Sequence, residues 1–256
     1  PVDQQKEERT RAAGLHLWYL VKFDENTDLQ EAANRLSKLG EISKVQGNSR
    51  IRRTYSGNYR TYTSEAVLQK TAATRTLSTA PNDPGFVTQW NLNNVGDIDF
   101  GNSNAKSVTG CDVNCLEAWK KCTGDPSIIV AVLDEGVMYT HPDLAANMWV
   151  NEKEQLRAGK DADGNGYKDD RYGYNFVKNS GLISWTDAND TGHGTHVAGI
   201  IAAVNNNGEG VSGIAGGDGT PNSGVKLMSC QVFDGEGGVT LDGEAKAIKY
   251  AADNGA

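Results

Sequence analysis

Residues Ser127 to Leu133 read SIIVAVL, an uninterrupted apolar run that is short and rich in β-branched side chains. Val and Ile are stiff at χ1 and suit extended backbone, and a run with no polar alternation needs cover on both faces. Such a strand belongs inside a parallel sheet, whose strands are joined by crossover helices. The sequence downstream supplies them. Gly192 to Val204 (GHGTHVAGIIAAV) has helical spacing, with Val197, Ile200, Ile201 and Val204 on one side. Val225 to Phe233 reads as a second buried strand. Thr240 to Asn254 reads as a helix with Leu241, Ala245, Ile248 and Ala252 inward and Gly255 past its end. Strands alternating with helices predict an α/β fold on a parallel sheet with flanking helices.

The front of the chain has a different texture. Leu15 to Phe23 (LHLWYLVKF) predicts a strand, and Asp24 to Asp28 a polar turn. Thr27 or Asp28 then caps a helix carrying Leu29, Ala32, Ala33, Leu36 and Leu39, with Gly40 as its C-terminal cap. Ile42 to Gln46 restarts a strand. Residues 1–52 therefore predict a small α+β module of β-α-β type, marginal by itself. Residues 53–81 are a polar linker with one short helix at Ser64 to Lys70, and 82–256 form the main domain. No internal repeat is present.

Charge follows the same division. Residues 1–80 hold 13 Lys and Arg against 9 Asp and Glu, whereas residues 81–256 hold 12 against 24, for +4 and −12. A basic front and an acidic body predict two modules that attract each other. The overall charge of −8 argues against a general nucleic-acid binder. The longest apolar run, Val197 to Val204, falls well short of the ~18 residues that span a bilayer. Neither nucleic acid nor membrane is an expected partner. The chain begins at Pro1 with no apolar signal segment, so a leader is expected to have been removed or to lie outside it.

Three of the four cysteines, Cys111, Cys115 and Cys122, fall within twelve residues, which predicts one local disulfide in an oxidising compartment. The ends of a helical Cys115–Cys122 stretch would lie ~10 Å apart, too far to bridge. Cys111 with Cys115 or with Cys122 is the expected pair. Cys230, in an apolar strand, is expected to be a buried free thiol.

Two positions carry the chemistry. Asp134 follows the first buried strand, at the carboxyl end where open parallel sheets gather functional groups. A carboxylate there is partly desolvated and needs a donor or cation beside it. His193 opens the Gly-flanked helix Gly192-His193-Gly194-Thr195-His196-Val197-Ala198-Gly199. A histidine so placed serves as a general base if a carboxylate fixes its tautomer. Of the other histidines, His16 lies in the front module and His141 precedes a proline in a turn. A third motif, Asp161-Ala162-Asp163-Gly164-Asn165-Gly166-Tyr167-Lys168-Asp169-Asp170, places oxygen ligands at positions one, three and five with a glycine at six, as in a calcium loop. Tyr167 offers its carbonyl. Tyr172 occupies position twelve, where a glutamate is expected, so Asp169 or Asp170 must close the shell.

Taken in order, Val130-Ala131-Val132-Leu133-Asp134-Glu135-Gly136-Val137, His141-Pro142-Asp143-Leu144 and His193-Gly194-Thr195-His196-Val197-Ala198-Gly199 resemble the subtilisin-like serine proteases, the subtilases. Asn82-Asp83-Pro84 with Gln89-Trp90 resembles the mature N-terminus of secreted members, and Leu116-Glu117-Ala118-Trp119 their next helix. The resemblance covers roughly 82–256. It implies a secreted or cell-envelope endopeptidase acting on peptide or protein substrates, with Asp134 orienting His193 as base toward a serine. It also implies that His196 is structural and that calcium is a structural cofactor. Gly237 and Gly238, in Asp234-Gly235-Glu236-Gly237-Gly238, would form a cleft wall on which substrate adds as an edge strand. Residues 1–52 would be a propeptide acting in cis, and 53–81 its activation segment.

Two departures stand out. Glu135 replaces the usual Ser or Thr, and a second carboxylate would raise the Asp134 pKa unless it points away. The nucleophile motif, Gly-Thr-Ser-Met-Ala or its like, does not occur. A truncated zymogen, inactive by itself, is therefore expected. The alternatives are a non-catalytic calcium-binding pseudoprotease and a metal-dependent hydrolase ligated by His193, His196 and Asp134.

Overall fold

The computed structural model describes residues 7–8, 11–12, 14–52, 80–97, 107–235 and 237–256. Its centre is a three-stranded parallel sheet of β1 (Ile129–Asp134), β2 (Gly173–Asn175) and β3 (Lys226–Gln231), in the order β1-β3-β2. The register sets Asp134 opposite Gln231 and Gln231 opposite Asn175, so three polar side chains share the carboxyl edge. The SIIVAVL run is covered on both sides, as its lack of polar alternation requires. Val130 and Val132 enter a core layer with Leu144, Met148 and Leu227. Ile129, Ala131 and Leu133 face the opposite layer, with Met228, Cys230 and Tyr250.

Each layer is closed by a helix. The helix α3 (His193–Ala202) covers the first, through the small residues Gly194, Ala198 and Ala202. The expected stripe of Val197, Ile200, Ile201 and Val204 is not the innermost face, and Ile200 is exposed. Small residues win the inner positions because they let the helix backbone lie close to the sheet. The helix α4 (Leu241–Asp253) covers the second layer with Ala247, Tyr250 and Ala251. Ala245, Ile248 and Ala252, expected inward, are exposed. Tyr250 replaces them because its hydroxyl has a buried acceptor, Asp170 Oδ2 at 2.8 Å, so the ring is buried without orphaning a polar atom. Between β3 and α4 lies a two-residue antiparallel pair, β4 (Phe233–Asp234) with β5 (Gly237–Gly238).

The segment before β1 packs separately. Phe86 and Leu92 form a small cluster with Cys115, the first residue of the short helix α2 (Cys115–Trp119). Buried Asp83 joins this segment to the body by accepting from Ser212 Oγ at 2.6 Å and from the amides of Asn206 and Asn207 at 3.1 Å. All four cysteines are free thiols, so the expected local disulfide is not formed. Cys115 is turned into the cluster, away from solvent-exposed Cys111 and Cys122. Cys230 is the buried free thiol expected, with its pKa pushed up to about 12 by burial.

In the front module the expected helix forms as α1 (Leu29–Leu36), capped by Asp28 Oδ1, which accepts from the amides of Gln30 and Glu31 at 2.8 and 3.0 Å. Its C-cap is Ser37 rather than Gly40. The two strands of the expected β-α-β unit are not formed. Leu15–Leu17 is a single 3-10 turn, and neither the rest of that run nor Ile42 to Gln46 joins a ladder. Leu17, Trp18, Tyr19, Leu20, Val21 and Phe23 are exposed. High β-propensity makes a strand only where a partner edge is available. The expected helix at Ser64 to Lys70 lies outside the described residues. The module's last residues do find an edge. Ile51 N–H donates to Val239 O at 2.9 Å, Leu241 N–H to Ser49 O at 3.1 Å, and Asn48 exchanges two bonds with Asp242.

Two measurements test this arrangement. Thiol titration of the native chain should label Cys111 and Cys122 rapidly and leave Cys115 and Cys230 protected until denaturant is added; fewer than four thiols after denaturation would restore the disulfide. Leu227→Ala, which empties a fully buried position on the central strand, should cost about 2–5 kcal/mol in urea unfolding.

Candidate active site

The tip of β1 and the first turn of α3 meet. His193 Nδ1 lies 2.8 Å from Asp134 Oδ1 and 2.7 Å from Oδ2. The Asp134 side chain is 16% exposed and that of His193 43%. The carboxylate is thus largely shielded while the ring keeps one edge open to solvent. Among the described residues no hydrogen bond engages the other ring nitrogen, Nε2.

Local sequence explains the approach. Gly192, in the left-handed region at φ 74°, turns the chain into α3. Gly194 permits contact between the two backbones, since a Cβ there would lie 2.2 Å from Glu135 O. Thr195 Oγ1 accepts from Met138 N–H at 3.0 Å, tying the first turn of α3 to the loop after β1. Glu135 is buried, and its carboxylate accepts from the amides of Thr191 and His193 at 3.0 and 3.2 Å. Its own N–H donates to Asp134 Oδ1 at 2.6 Å. His196 is exposed, and among the described residues it belongs to no group of three that could hold a metal. Asp134, His193 and His196 do not converge on a common ligand point, so the metal-hydrolase alternative loses its site.

The acidic loop is organised differently from its sequence pattern. Ligand oxygens of Asp161, Asp163 and Glu154 lie within 4.8 Å of one another, the one such group of three among the described residues. Glu154 is fully buried; its Oε1 accepts from the amides of Ala162 and Asp163, and its Oε2 from that of Asp169. Sequence spacing missed it because it precedes the loop instead of closing it; a glutamate at the end of the preceding turn was the available signal. Asp161 accepts from the amides of Gly164, Asn165 and Gly166, and Asn165 Oδ1 from Tyr167 N–H. Asp169 and Asp170 are not members of this group of three. The Asp169 carboxylate accepts from Gly159 N–H at 2.8 Å, and Asp170 turns inward to Tyr250, Asn165 and Asn151. Burial holds the Asp170 pKa above the usual carboxylate range, against the lowering effect of the Asn165 and Tyr250 hydrogen bonds.

Gly237 and Gly238 form β5, and Gly237 N–H donates to Asp234 Oδ1 at 3.0 Å. Open space lies above Gly237, while a Cβ on Gly238 would meet Ile51 O at 2.8 Å. A cavity of about 460 Å³ beside this pair is lined by Arg50, Phe176, Asp234 and Asp242 among others, and by neither Asp134 nor His193.

The family model described as the subtilase family matches residues 125–256. The chain belongs to that family. It is 47% identical over 106 residues to subtilisin-like protease 1 of Plasmodium vivax, covering 41% of this chain and 15% of the relative. With a halolysin-like extracellular serine protease of Natrialba magadii it shares 35% over 144 residues, covering 56% and 22%. With a thermophilic serine proteinase of Bacillus sp. strain AK1 it shares 32% over 243 residues, covering 93% and 49%. The chain thus spans less than half the length of each of these relatives.

The backbone contact at Gly194 is open to a direct test. Gly194→Ala should force α3 off the tip of β1 and lower the thermal midpoint by several degrees, roughly 2–4 °C per kcal/mol lost in a domain of this size. An unchanged midpoint would show that the two backbones are not in contact.

Proposed function

We propose that this chain is the Asp/His-bearing part of a secreted, subtilisin-like serine endopeptidase zymogen. The observation that carries the reading is the position of His193 Nδ1 between both oxygens of Asp134. A carboxylate there receives Nδ1–H and so holds the neutral ring in the tautomer whose lone pair is on Nε2. Nε2 would take the proton of a serine hydroxyl as that oxygen attacks a peptide carbonyl, and Asp134 would stabilise the imidazolium formed. The ring would return the proton to the leaving amine, and water would release the acyl group by the same path. The serine lies outside residues 1–256. Secretion is supported by the extracellular relative from Natrialba magadii.

Residues 1–52 act in this reading as a propeptide in cis, 53–81 as the activation segment and 82–256 as part of the catalytic domain. Support comes from the antiparallel bridge of Arg50 to Thr240 beside Gly237 and Gly238, the edge on which an extended substrate would add. Charge of opposite sign on the two parts favours the same contact.

Calcium fits the acidic loop by donor chemistry. Glu154, Asp161 and Asp163 present hard oxygen ligands around one point, which suits Ca²⁺ and not a thiolate- or imidazole-seeking metal. The ion would supply positive charge to a cluster of three carboxylates, one of them fully buried. Asn165 and Tyr167 hold the turn that brings Asp161 and Asp163 round to Glu154.

In the full-length protein, Asp134→Asn should lower kcat on a peptide substrate by about 10⁴ and His193→Ala by about 10⁶. Activity that survives a serine-directed phosphonate would sink the reading. Titration calorimetry with calcium should show a site weakened by Asp163→Ala and by Glu154→Gln, and absence of binding heat in the parent would remove the ion.

A further inference from the structure

A carboxylate taken out of water requires several donors or a compensating charge. Glu135 is 1% exposed, and the start of α3 supplies it with several donors. Besides the amides of Thr191 and His193, Thr191 Oγ1 donates to it, lying 3.1 Å from Oε1 and 3.0 Å from Oε2. The first amides of a helix have no acceptor within the helix and carry its positive end. His193 is the first residue of α3, and its N-cap, Gly192, has no side chain to accept from them. Glu135 performs that task from a different element.

The same residue reaches the other half of the pair. Its N–H is bonded to Asp134 Oδ1, so one residue holds the Asp134 carboxylate through its main chain and the His193 main chain through its carboxylate. Both grips lie within one peptide unit of the groups they orient. We propose that Glu135 is a positioning residue that sets the angle and distance at which the His193 ring meets Asp134. It touches no reacting atom and acts through the backbone of His193 and the carboxylate of Asp134. The consequence for catalysis rests on the proton-transfer reading of His193 above.

The test uses the full-length protein with ¹⁵N-labelled histidine, the His193 Nδ1–H resonance being assigned by its loss in His193→Gln. Glu135→Gln keeps an acceptor oxygen, Glu135→Ala removes it, and Thr191→Val removes one donor from an exposed position. Glu135→Ala should displace the resonance upfield and lower kcat roughly a hundredfold, as a small misplacement of a catalytic group does, with KM changed less than about twofold. Glu135→Gln should restore kcat to within about tenfold of wild type, since the lost charge matters less than the lost acceptor. Thr191→Val should move the resonance in the same direction by a smaller amount. A resonance unmoved in Glu135→Ala, with only the melting temperature lowered, overturns the proposal. If Glu135→Ala does not fold, an unmoved resonance in Thr191→Val does so instead. Displacement of the resonance in a protein that cleaves no peptide would leave the positioning role standing and remove the hydrolase reading.

Discussion

The contact between the first turn of α3 and the tip of β1 organises both the site and one layer of the core. Gly194 brings two backbones within the space a Cβ would fill. The residues that follow on the same face, Ala198 and Ala202, keep that closeness for the length of the helix. A larger side chain at any of the three would hold α3 away from the sheet and open the gap that the Asp134–His193 bond must span. Packing and polar geometry are therefore one constraint here. Dense interiors shift in discrete steps, so a site built on such a contact is either assembled or lost.

Glu135 shows how a departure from a family pattern is absorbed. Beside Asp134 in sequence, it would repel that acid if the two carboxylates faced each other. Glu135 follows the last residue of β1 at a bend, and its carboxylate accepts from the His193 amide at the helix start. Its charge then meets the positive end of α3 rather than a second carboxylate.

The acidic loop is coupled to the opposite core layer. Asp170 accepts from Tyr250, and Tyr250 packs edge-on to Tyr167 and Phe176. Tyr167 belongs to the loop and Tyr250 to α4, so the loop's shape is fixed from within by aromatic packing as well as by its own turn bonds. This explains why Asp170, spaced like a ligand, is spent on a structural bond. Glu154 joins Asp161 and Asp163 instead because it approaches the loop from the preceding turn, a relation that no linear spacing records.

The sequence alone determined β1, β3, α3 and α4, because their apolar patterns are local and long, whereas the three-residue β2 was too short to be read from it. It also marked Asp134 and His193, since a strand tip and a Gly-flanked helix start are local features. What it left open depended on partners distant in the chain. The Leu15 to Phe23 run has every local property of a strand, yet a strand exists only when another edge accepts its hydrogen bonds. The inner face of α4 was decided by an acceptor eighty residues away, and the free state of Cys115 by the aromatic cluster it fills. Hydrophobic periodicity states what must be buried, while only the assembled fold states against what, because burial free energy is non-directional and hydrogen bonds are not.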